Sequence, residues 1–153
     1  MSSLELKVPP PVVAILFALL MWLLPSLGGS TGISFGYRVG VAIVVAAMGV
    51  AVGFSAMAAF VRNKTTMNPT KPGATSSLVT NGVFRLTRNP MYLSLVLYLV
   101  AWAVYLSSWL ALLLVPVFVL YMNQFQIKPE ERALSALFGP QYASYQARVR
   151  RWV

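Results

Sequence analysis

Arg85 and Arg88, running into Asn89-Pro90, are the residues whose types and spacing most readily do chemistry. They lie in a polar, basic stretch, Leu78 to Ser94, between apolar runs. Asn can cap a helix by accepting a backbone N–H, and Pro fits the first helical position because its missing N–H would be unpaired there anyway. The two cations are therefore expected at the mouth of an apolar helix, where free backbone N–H groups favour an anion. A second cluster, Pro129-Glu130-Glu131, reads as another helix start and carries two of the chain's 3 acidic residues. Two readings stand side by side for each pair. Glu130 and Glu131 either complement a helix dipole or hold a ligand, and Arg85 and Arg88 either anchor lipid head groups or face the same ligand. Phe84, Tyr92, Phe138 and Tyr142 are candidate aromatic walls. Cationic, anionic and aromatic edges together suit a zwitterionic ligand with an aromatic ring.

Composition narrows the chemistry further. With Cys 0 and His 0, the chain offers no disulfide framework, no thiolate and no imidazole base, and no metal site is expected. The chain is 58% hydrophobic and 10% charged, with mean hydropathy +0.72, which places it in the bilayer class. Its net charge of +9 sits beside apolar runs, so membrane lipids with anionic head groups are the expected partner and nucleic acid is not.

The elements that must position these residues read as an all-α integral membrane protein with about four transmembrane helices and an interfacial tail. The 153 residues form a single membrane-embedded domain. Spans are expected at about 9–27, 35–61, 91–106 and 109–125. The first is read as a retained span rather than a signal peptide, and Pro116 is expected to kink the last. Gly49 and Gly53, four apart, permit close helix approach; packing within the chain is the favoured reading and a homodimer seam the alternative. Ser107-Ser108 joins the last two runs into a tight antiparallel hairpin. Four crossings would put Lys7, Arg62, Lys64, Lys71, Arg85, Arg88, Lys128, Arg132, Arg148, Arg150 and Arg151 on one side and Arg38 alone on the other, so both termini are expected in the cytoplasm. From Lys128, the residues Leu134, Phe138, Tyr142, Tyr145 and Val149 recur at helical spacing. Gly139-Pro140 should split this tail into two short helices lying on the membrane surface, apolar stripe down.

The run Leu78-Val79-Thr80-Asn81-Gly82-Val83-Phe84, then Arg88-Asn89-Pro90-Met91-Tyr92, then Pro129-Glu130-Glu131 with Leu134, Phe138-Gly139, Tyr142 and Tyr145, resembles the isoprenylcysteine carboxyl methyltransferase family. Phospholipid N-methyltransferases look related in the same region. Short bacterial-type members are especially similar, down to Asn68-Pro69 and Val149-Arg150-Arg151-Trp152.

The resemblance implies S-adenosylmethionine as cofactor and a cofactor region at about 66–92 and 126–153. The family's Arg-His-Pro-X-Tyr motif falls on Arg88, Asn89, Pro90, Met91 and Tyr92, with Asn89 in place of His. Ser76, Ser77, Leu78 and Val79 fall on the segment ahead of it that lines the cofactor, and Phe84 on an aromatic cofactor position. The cofactor glutamate falls on Glu130, with Glu131 beside it. Gln126 stands where eukaryotic members carry an Arg linked to the substrate carboxylate.

The expected function is methyl transfer from S-adenosylmethionine to a hydrophobic small-molecule or lipid acceptor at the cytoplasmic face of a bacterial inner membrane. Glu130, Glu131 and Arg88 are the catalytic candidates. The rival is a non-catalytic lipid-binding or scaffold protein.

Overall fold

The computed structural model describes residues 6–24, 29–63 and 77–153. Its elements, in order, are α1 (Pro10–Leu23), α2 (Phe35–Arg62), a 3-10 turn (Gly82–Arg85), α3 (Pro90–Leu106), α4 (Trp109–Met122), a π-helical turn (Asn123–Ile127), α5 (Lys128–Phe138) and α6 (Pro140–Arg148). Among the described residues there is no β-sheet, only an isolated bridge between Ser30 and Ser108.

Among the described residues, two helices are long and apolar enough to cross a membrane: Phe35–Arg62 and the continuous run Trp109–Phe138. The other two apolar helices are shorter. α1 has 14 residues, about 21 Å at 1.5 Å per residue, against about 30 Å of hydrocarbon. It ends at Leu23 rather than near residue 27, because Leu24 precedes a proline in the sequence and such residues avoid helical ψ. Leu16, Leu23, Val44, Phe54, Val61, Leu113 and Leu120 all point outward, each more than half exposed, as a lipid-facing surface requires.

α3 is the central element. It packs against α2, α1 and α4, whereas α1 and α2 barely touch each other. One core joins Val13 and Met21 of α1, Tyr92, Leu99 and Ala103 of α3, Phe118 and Met122 of α4, and Ile127. The indole of Trp102 donates to the Ala18 carbonyl (3.0 Å), tying α3 to α1. Against α2, the seam is set by glycine. A Cβ on Gly49 would stand 2.9 Å from Tyr98 Cε1 and 3.3 Å from Leu97 Cβ, and one on Gly53 would stand 3.2 Å from Ser94 Oγ. The small-residue face is thus occupied by the chain's own α3. The hairpin turns at Ser107, which adopts a left-handed conformation (φ 56°), and at Ser108, whose hydroxyl caps α4 by accepting from the Ala111 N–H. Pro116 lies inside α4 without ending it.

The fourth apolar run and the tail were expected to separate near Phe125; they do not. The helix continues from α4 through the π turn into α5. Pro129 has no N–H to offer the Phe125 carbonyl four residues back. That carbonyl instead accepts from the Leu6 N–H (3.1 Å), and Gln126 Nε2 donates to the Val8 carbonyl (2.7 Å). Glu130 and Glu131 therefore do not open a free helix, which removes the basis of the helix-dipole reading. The break at Gly139-Pro140 does occur, on a positive φ (47°) that suits Gly139. α6 is not an apolar stripe laid only on lipid: Tyr142 and Tyr145 are buried in the protein, and the Tyr145 hydroxyl donates to the Phe84 carbonyl (2.7 Å).

Candidate functional site

The start of α3 is held from outside the helix. Asn89 occupies the capping position, but its side chain does not cap; Nδ2 donates to the Arg151 carbonyl (2.9 Å). Thr87 Oγ1 donates to the same carbonyl (3.1 Å), and the Arg88 N–H donates to the Arg150 carbonyl (2.9 Å). Trp152 then fastens this strap to the π turn, its indole donating to Asn123 Oδ1 (3.1 Å). Residues 87–89 and 150–152 thus form one cross-braced unit.

The two acidic residues divide their work. Glu130 accepts a hydrogen bond from the Tyr92 hydroxyl (2.9 Å). It lies in the charged helix past the apolar stretch of α4, and burial pushes its carboxyl up to about 7; the Tyr92 hydrogen bond opposes that rise and the neighbouring Glu131 charge adds to it. Glu131 is ion-paired. Arg151 grips it with both prongs, Nε to Oε1 at 3.1 Å and Nη2 to Oε2 at 2.7 Å, while Arg88 Nη1 stands 3.2 Å from Oε1. Arg88 Nε and Nη1 are nevertheless buried without a well-aligned hydrogen bond. The ion pair is close but side-on.

Of these groups Arg88, Tyr92 and Glu130 border a cavity of about 450 Å³, whereas Glu131 and Arg151 do not. Arg88, Asn89, Tyr92 and Glu130 supply its polar rim. Its walls, apolar except for Ser94, come from three helices: Pro9 to Pro11 at the start of α1, Gly53, Met57 and Phe60 on one face of α2, and Pro90, Met91, Ser94 and Leu95 on α3. Phe84 closes it from the 3-10 turn, edge-on to Phe60 with ring centroids 5.4 Å apart. A volume in the few-hundred Å³ range, mostly apolar with a few convergent polar groups, is that of a small-ligand site.

The remaining candidates fall elsewhere. Ser76 lies outside the described residues. Ser77 donates to the Asn63 carbonyl (3.3 Å), and Val79 is buried against Ala56, Ala59 and Phe84; neither they nor Leu78 line the cavity. Arg85 is exposed on the 3-10 turn, and Phe138 and Tyr142 are not on the lining, although Tyr142 stands beside Arg88. Gln126 is fully buried, with Nε2 on Val8 and Oε1 without a partner among the described residues. Local patterns do not point to the proline wall of α1 or the Arg151 strap. Gly53, Met57 and Phe60 stand at helical spacing, but nothing in that spacing marks a cavity wall.

No solved structure matches the chain. A protein of Haemophilus influenzae, described only as uncharacterized, is 51% identical over 63 residues, which is 41% of this chain and all of the other. The family model described as phospholipid methyltransferase matches residues 37–141, a span running from the start of α2 into α6 and containing both the Arg88 mouth and the Glu130 helix. The chain therefore belongs to the phospholipid methyltransferase family, a family of membrane methyltransferases.

Proposed function

We propose that the protein transfers a methyl group from S-adenosylmethionine to a hydrophobic or lipid-like acceptor at the cytoplasmic face of the membrane. The observation that carries this reading is the Tyr92–Glu130 pair, set on the rim of an otherwise apolar cavity that also exposes Arg88.

The donor set fits such a cofactor. A guanidinium whose N–H donors are not all matched calls for an anionic oxygen, and Arg88, which lines the cavity, would hold the carboxylate. The Glu130 carboxylate would accept from hydroxyls or an ammonium, with Tyr92 fixing its orientation. Phe84 and Phe60 offer an aromatic wall. When bound, S-adenosylmethionine supplies an electrophilic methyl group on a sulfonium.

The protein's own contribution is orientation and dryness. Met57, Met91 and Leu95 would exclude water and hold an apolar acceptor in line, effects that can together lower a barrier by about 7–11 kcal/mol. A carboxyl near pH 7 is matched to accept a proton at its Oε atom when the acceptor arrives protonated. Glu131, held by two arginines, is assigned to positioning rather than proton transfer.

Calorimetric titration with S-adenosylhomocysteine tests the reading directly. The folded protein should bind it, and Glu130→Ala should lose affinity while keeping its helical content and melting behaviour. Failure of the wild type to bind would sink the proposal. Mass spectrometry of a lipid extract incubated with protein and isotope-labelled cofactor then identifies the acceptor. Cofactor-dependent thermal stabilisation separates the enzyme from a lipid-binding scaffold, which would show none.

A further inference from the structure

Arg88 is the cation on the cavity rim, and Glu131 is its only close carboxylate among the described residues. A carboxylate facing a guanidinium ordinarily takes it fork to fork, satisfying two N–H groups at once. That does not happen here. Arg151 occupies both oxygens of Glu131, at 3.1 and 2.7 Å, and Arg88 is left with a side-on approach at 3.2 Å and an Nε without an acceptor. The backbone of Arg151 belongs to the same device. Its carbonyl receives both Thr87 Oγ1 and Asn89 Nδ2, while Arg150 receives the Arg88 N–H, so the main chain on either side of Arg88 is fixed by the strap that carries the competing side chain.

We propose that Arg151 is a positioning residue: by occupying both oxygens of Glu131 it keeps that carboxylate from pairing fork to fork with Arg88 and leaves the Arg88 guanidinium able to take a ligand's carboxylate in the cavity. The inference rests on the cofactor reading above. Arg151 does not line the cavity and acts on the ligand only through Glu131 and Arg88. Without its side chain, Glu131 rotates to pair bidentately with Arg88 and competes with the incoming carboxylate. Removing the Glu131 charge as well ends that competition.

Two ligands separate this role from a merely structural one. S-Adenosylhomocysteine carries the amino-acid carboxylate, and 5′-methylthioadenosine shares its nucleoside end but lacks that group. Wild type and Arg151→Met, each shown by circular dichroism and thermal melting to be folded in detergent, are titrated with both. Arg151→Met should bind S-adenosylhomocysteine about tenfold more weakly, the loss of one charge-assisted hydrogen bond, and 5′-methylthioadenosine equally well. The double variant Arg151→Met/Glu131→Gln should recover most of the lost affinity. Equal weakening towards both ligands, unchanged affinity for both, or no recovery in the double variant overturns the proposal. If the wild type binds neither ligand, the cofactor reading itself fails and this inference falls with it.

Discussion

Glu130 and Glu131 are adjacent in sequence yet meet opposite environments. One side chain turns to Tyr92 and the cavity; the other is enclosed between Arg88 and Arg151. That division is the basis of the separate roles proposed for them, which residue type alone does not distinguish. It also makes a pH dependence. A carboxyl raised to about 7 is neutral below that pH and charged above it. Affinity for the cationic S-adenosylmethionine should therefore climb as pH rises through about 7. In Glu130→Gln that climb should vanish and affinity stay low throughout. Isothermal titration between mildly acidic and mildly basic pH measures both, and an undiminished climb in the variant would show that another group is titrating.

Two departures at the scale of elements share a cause in backbone hydrogen bonding. A proline followed by acids, as at Pro129-Glu130-Glu131, ordinarily marks a helix start. Here it lies inside a helix that accommodates the missing N–H with a π turn, and residues 6–8 take up the freed polar groups. Sequence periodicity cannot distinguish these outcomes, because the compensating Leu6 N–H comes from the other end of the described chain. The Gly49/Gly53 face was legible as a close-approach surface, and the structure shows α3 filling it. Gly49→Val should force α2 away from Tyr98 and Leu97 and destabilise the fold by about 1–3 kcal/mol. Gly40→Val, where nothing lies within 4 Å, should change stability by less than about 0.5 kcal/mol. Denaturant unfolding in detergent compares the two; equal effects would remove the packing argument.

Across the whole molecule, α3 serves as the common floor, with α1 and α2 rising from it without closing on each other. The cavity lies between them at the end where the charged groups collect. The topology we propose puts this basic face in the cytoplasm and Arg38 on the far side. The chain's lack of cysteine makes the test clean. Tyr37→Cys, exposed near the start of α2, should react with an impermeant maleimide on intact spheroplasts, whereas Ala147→Cys on α6 should react only after lysis. Labelling of both from the same side would overturn the orientation.

The bilayer class, the helical runs, the hairpin joint, the Gly139-Pro140 break and the Arg88 and Glu130 candidates were all determined by the chain's own order of residues. Each depends on composition or on a pattern repeating within a few positions. Only the tertiary structure decided which polar groups meet. Tyr92 reaches Glu130 across 38 positions and Asn89 reaches Arg151 across 62. Such pairings depend on how each helix is rotated about its axis and where its neighbour crosses, and those angles follow from packing the whole set of side chains at once. For the same reason no local motif could reveal that a proline wall from α1 completes the cavity, or that Glu131 is already held by a second arginine.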